Sequence, residues 1–76
     1  MRVTHDAEAD AAYAYLVDEI NRGDAAFSRV ANVRMDQAAL TVDFDADGRV
    51  VGIEVLGASR VLRQETISAA EDVRGR

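Results

Sequence analysis

The chain has 76 residues with no cysteine, no proline, no tryptophan and one histidine, and its nine basic residues are all arginine. Each absence removes a class of explanation. Without cysteine there is no disulfide framework and no thiolate metal site, and one histidine cannot form a histidine cluster, so the usual staples of small domains are missing. Without lysine there is no amine nucleophile or Schiff base, and arginine is left to pair with carboxylates or keep the surface soluble. No low-complexity run marks a linker, nothing repeats, and no stretch approaches the ~20 apolar residues of a membrane span. The opening MRVTHDAEAD has no apolar run of signal-peptide type, which points to a cytoplasmic protein away from membranes.

What is present is ordinary for a folded chain: 49% hydrophobic and 30% charged residues. That is too apolar for disorder. One domain over residues 1–76 is expected, of a size that buries only roughly 60% of its unfolded surface. Oligomerisation, most simply a two-fold homodimer, is the remaining common source of stability. The net charge is −5, with eleven acids against five bases before residue 55. Acidity of this kind disfavours direct nucleic-acid binding, which uses cationic surface to displace counterions, and suits a basic protein partner.

The most legible region is the middle. Leu40, Val42 and Phe44 alternate on one side of Asp47-Gly48, and Val51, Ile53 and Val55 alternate on the other. Period two with β-branched residues means strands, and Asp-Gly suits the two central positions of a type I′ turn. That turn predicts Phe44 opposite Val51, Val42 opposite Ile53 and Leu40 opposite Val55, with all these side chains on one face. Downstream, SRVLRQETISAAEDV predicts a helix over Ser59–Val73, with Ser59 as N-cap and Leu62, Thr66, Ala69 and Val73 along one stripe. The closing RGR is expected to fray. Upstream, FSRVANVRM predicts a strand with Phe27 and Val33 inward, and Arg22-Gly23-Asp24 reads as a loop without integrin-type meaning. The segment before it has two readings. Ala12, Leu16 and Ile20 lie at helical spacing, whereas Tyr13, Tyr15 and Val17 alternate as in a strand; propensity slightly prefers helix.

DFDADGRVVGIE, Asp43 to Glu54, fits the calcium-loop formula D-x-D-x-D-G-x-(aliphatic)-x-x-x-E. An EF-hand loop needs helices on both flanks, the exiting one returning a bidentate glutamate to the ion. Here both flanks read as strand. Along an extended strand Glu54 lies on the order of 20 Å beyond Asp47 at ~3.3 Å per residue. Asp43, Asp45 and Asp47 therefore read as solvated turn acids rather than a metal site.

HDAEADAAYAYL and VDFDADGRVVGIEVLGAS together resemble the bacterial family known as domain of unknown function 2283. Its pattern runs approximately Y-D-x-E-A-D-A-x-Y-x-x-L and then D-Y-D-x-D-G-x-I-V-G-I-E-I-L-x-A-S. The resemblance covers about residues 3–62. His5 stands where tyrosine is usual, and Ala12 and Ala14 stand where larger apolar residues are usual. The resemblance implies an α+β fold: a small antiparallel sheet, a meander with an Asp-Gly hairpin, followed by a C-terminal helix. It also implies a strand over Ala11–Val17, against propensity. Family members are similar in setting to antitoxin-like or accessory proteins encoded beside compact toxin-like partners.

No nucleophile motif, phosphate loop or metal-ligand spacing is present, and no catalytic, cofactor-binding or metal residue is assigned. His5, Asp6, Glu8 and Asp10 form the one cluster capable of acid–base work, yet acids around a turn usually cap or form Asx turns. Tyr13 and Tyr15 could line a pocket but more often pack cores and interfaces. Glu54 should point away from the core, meeting Thr41 or a partner's arginine. Two classes of function follow: a non-enzymatic, self-associating interaction module with a basic protein partner, or a small-molecule or metal-binding domain, an enzyme built at a subunit interface among its forms. Candidate self-association surfaces are the stripe at Leu62, Thr66 and Val73 and the strand bearing Tyr13 and Tyr15.

Overall fold

The structure is a computed structural model and describes residues 1–31 and 38–73. Among these residues six strands form one sheet: β1 (Arg2–Asp6), β2 (Ala11–Tyr15), β3 (Phe27–Ala31), β4 (Ala39–Phe44), β5 (Val50–Leu56) and β6 (Glu71–Asp72), with helices α1 (Ala58–Val61) and α2 (Gln64–Ala69) between β5 and β6. The strand order is β3-β4-β5-β2-β1-β6, and every pairing is antiparallel except β1 with β6. The fold is therefore α+β as expected, but the sheet is mixed. The Val33 and RGR expectations lie outside the described residues.

Register follows the apolar alternation of the central strands. Leu40 stands opposite Val55 and Val42 opposite Ile53, as the pattern predicts. At the turn end the expectation is corrected, because Phe44 stands opposite Val50 across a bulge at Asp43/Phe44. The turn is not type I′. The Gly48 N–H donates to the Asp45 carbonyl at 3.0 Å, which puts Ala46 and Asp47 at its centre. Gly48, at φ 82, is the only residue there in the left-handed region. A single αL glycine after an ordinary turn suits this bulged connection, and the Asp45 carboxylate reinforces it by accepting from Asp47 N and Arg49 N.

The Ala11–Tyr15 segment is strand, as the resemblance implies. Tertiary pairing decides it: β2 is bracketed by β1 and β5, which satisfy its backbone on both sides. Alanine is useful there. Ala12 packs with Val55 and the fully buried Ala58, with Leu40, Ile53, Val61 and Leu62 around them. Small side chains at Ala12 and Ala58 let α1 lie close on the sheet.

The continuous helix over Ser59–Val73 does not form. Leu62 and Arg63 are extended between α1 and α2, and the last described residues run along β1, where Val73 N donates to His5 O at 3.0 Å. An unbroken helix of that length would run about 22 Å in one direction. The break instead keeps both Val61 and Leu62 against the core and gives Glu71–Asp72 a partner in β1. The stripe Leu62, Thr66, Ala69, Val73 is thus not one surface. Ser59 is not the N-cap either; Gly57 is, at φ 73.

The helices cover one end of one sheet face. Among the described residues the buried apolar side chains are Ala12, Val51, Val55 and Ala58, a thin core. β3 lies outside it. Phe27, expected inward, is 57% exposed and Val30 is 75% exposed, because no element among the described residues reaches over this edge.

Candidate functional site

Among the described residues the fold joins polar side chains of distant segments in two places. The first joins the β1–β2 turn to α1. Asp10, in the left-handed region at φ 51, ends that turn. Its carbonyl accepts from Gly57 N and Ala58 N at 3.0 and 2.9 Å. Its carboxylate accepts from Ser59 N at 3.1 and 3.2 Å, from Ser59 Oγ at 2.7 Å, and lies 3.3 Å from His5 Nε2. Asp10 thus caps α1 across 49 residues of sequence, supplying the acceptor that Gly57 lacks. The Ser59 hydroxyl bond, then the contact with His5, holds the Asp10 carboxyl below the usual carboxylate range, outweighing the opposing effect of desolvation.

Serine, histidine and aspartate therefore meet, but in an order that does not activate a nucleophile. The Ser59 hydroxyl donates to the carboxylate and not to His5. Of the other acids in the expected cluster, Asp6 accepts from Glu8 N and Ala9 N within the turn, an Asx arrangement. The cluster splits into a turn acid and a clasp.

The second constellation lies on the sheet face without helices. Tyr13 OH donates to Asp43 Oδ2 at 2.7 Å, and Ser28 Oγ donates to Asp43 Oδ1 at 2.6 Å. The Tyr13 ring lies over Gly52; a Cβ there would overlap the ring and its hydroxyl. Burial, reinforced by the neighbouring Asp43 carboxylate, raises the Tyr13 phenol well above its ordinary value. Tyr15 stands beside it, ring centroids 4.8 Å apart, and carries the Arg2 guanidinium 4.0 Å above its ring. Glu54 lies opposite both Tyr13 and Thr41, as its alternation requires. Tyr13 and Tyr15 are therefore half-buried on an interior strand.

This geometry also reassigns the calcium-loop acids. Both Asp43 oxygens accept hydroxyl protons, and Asp45 closes its own turn. Among the described residues no three acid or histidine side chains converge on a point that could hold a metal ion. Nor is any described helix long and apolar enough to cross a membrane.

Ser28 and Gly52 escaped the sequence reading. Asp43 and Tyr13 are 30 residues apart and nothing local links them. Gly52 did carry a signal, since an isolated glycine inside a strand often marks close approach of another group.

A mixed six-stranded sheet with two short helices on one face defines a small α+β domain. The family model described as "Protein of unknown function (DUF2283)" matches residues 2–59, and the chain belongs to that family. No curated protein and no solved structure matches it. The matched region contains the whole of the Asp10–Ser59 clasp and of the Tyr13–Asp43–Ser28 network.

Proposed function

We propose that the protein is an acidic, non-enzymatic interaction module that acts as a cytoplasmic homo-oligomer, in an antitoxin-like or accessory role towards a basic protein. One observation carries the self-association in this reading. The chain exposes 5531 Å², whereas a compact monomer of 8.2 kDa should expose about 4,500 Å², an excess of about 1,000 Å². Stable interfaces cover about 800 Å² per partner, so a second copy accounts for an excess of this size.

The exposed edge gives the most direct place for it. β3 presents five residues, with Phe27 and Val30 on opposite faces and neither proline nor lysine to block pairing. Antiparallel pairing of β3 with its two-fold mate extends the sheet and covers both side chains. The β2 surface and the stripe along the C-terminal segment fit this role less well, since β2 is interior and the stripe is broken. Hydrogen exchange of the β3 amides tests the reading. They should slow as protein concentration rises; concentration-independent exchange refutes pairing at this edge.

One observation favours the second reading, a small-molecule site. A depression of about 360 Å³ lined by Val17, Ile20, Asp24, Asp45 and Val51 has the size of a ligand pocket. A small molecule retained through purification and seen by native mass spectrometry would favour it.

A further inference from the structure

On the sheet face opposite the helices, Tyr13 leans away over Gly52 towards Asp43. Beside it lies a hollow of about 200 Å³ lined by Thr4, Asp6, Tyr13, Tyr15, Glu54 and Val73. It is smaller than the pockets of drug-sized ligands and has the scale of one side chain.

Its chemistry is selective. Glu54 is half-buried and makes no hydrogen bond or ion pair among the described residues. Thr4 is only 5% exposed, yet its hydroxyl has no hydrogen-bond partner there and is not itself sealed from solvent. Two carboxylates, a free hydroxyl and two aromatic rings converge, and among the described residues no basic one lines the hollow. A planar cation with several N–H donors satisfies all of these at once: its face meets a ring while its edge donates to the carboxylates. The molecule shows the stacking half of this already, in the Arg2 guanidinium over Tyr15.

We propose that this hollow receives an arginine side chain from a basic protein partner, its guanidinium against the Tyr13–Tyr15 rings and paired with Glu54 and Asp6. The proposal rests on the interaction-module reading and names the chemistry of its partner. A protein arginine suits the charge better than free arginine, whose α-carboxylate would meet a chain of net charge −5.

The test is titration with a blocked peptide carrying one arginine among neutral residues, beside its lysine and citrulline counterparts and free arginine. Tyrosine emission reports the site, because both tyrosines line the hollow and there is no tryptophan. The arginine peptide should saturate, lysine and free arginine should bind more weakly, and citrulline should give no saturable change. Glu54→Gln, nearly isosteric, should weaken the arginine peptide about tenfold, consistent with loss of a charge-assisted bond. Equal binding of citrulline, or full binding by Glu54→Gln, overturns the proposal. The citrulline arm needs no variant, so it decides even where a substitution disturbs folding. Sedimentation of the Glu54→Gln protein separates this result from self-association. An unchanged oligomer with lost peptide binding supports the proposal, whereas loss of the oligomer would make a second copy the source of the arginine and overturn the separate partner.

Discussion

Replacing Asp10 separates the two things it does. Alanine at φ 51 pays a left-handed backbone cost of about 1 kcal/mol. Loss of the carboxylate that caps α1 through Ser59 N removes about 1 kcal/mol. Loss of the Ser59 hydroxyl and His5 contacts, at a site a third exposed, removes about 0.5–1 kcal/mol. Asp10→Ala should therefore cost about 3 kcal/mol, a fall in Tm of roughly 12–24 °C for a domain of this size. Asp10→Gly relieves the backbone but adds unfolded-state entropy, so it should stand roughly 0.5–1 kcal/mol above the alanine variant. Asp10→Asn tolerates the same φ and keeps an acceptor, and should cost about 1 kcal/mol. Urea unfolding of the three variants is the assay. A glycine variant as stable as the parent would remove the clasp from the account, and alanine no worse than glycine would remove the backbone strain.

The same carboxyl predicts a pH dependence: the native state holds fewer protons than the unfolded chain near pH 3–4, so its stabilisation is present above about pH 4 and disappears as pH falls through the depressed native value, a component that Asp10→Asn should lack. At the other extreme, the raised Tyr13 phenol keeps its proton in the native state, so stability should decline as pH rises past about 10, where unfolded tyrosine ionises; phenolate absorbance should show a late step that Tyr13→Phe removes. Gly52→Ala places a methyl group inside the Tyr13 ring and should cost about 1–3 kcal/mol while breaking the bond to Asp43; an unshifted Tyr13 titration in that variant would contradict the packing. A Cβ at Gly48 meets no neighbouring atom, so the cost of Gly48→Val, ~1 kcal/mol or more, is chiefly one of backbone at φ 82, and an unchanged Tm would refute the turn geometry.

Elements whose pattern and partner were both local were legible in the sequence. The pairing of Leu40 with Val55 and Val42 with Ile53 follows from alternation across a short turn, although the bulge at Phe44 and the turn type depend on one glycine among neighbours of ordinary φ. The C-terminal segment misled because its composition suits a helix, while Val61 and Leu62 gain more by both reaching the core than by continuing it. The Ala11–Tyr15 strand is the converse, where residues with helix propensity are held extended by partners on both sides. Within the site, His5 and Asp10 were recognisable as neighbours, but their partner Ser59 and the Tyr13–Asp43–Ser28 network are made by non-local pairing. Only Gly52, bare within a strand, hinted at the ring above it.

Sedimentation equilibrium from micromolar to submillimolar concentration, on the parent beside Val30→Asp, tests self-association through β3. Val30 is 75% exposed, so the charge should leave the monomer fold intact while opposing its two-fold mate. The parent should approach twice 8.2 kDa and the variant should stay near 8.2 kDa. A parent that stays at 8.2 kDa throughout, or a variant that assembles as the parent does, contradicts it.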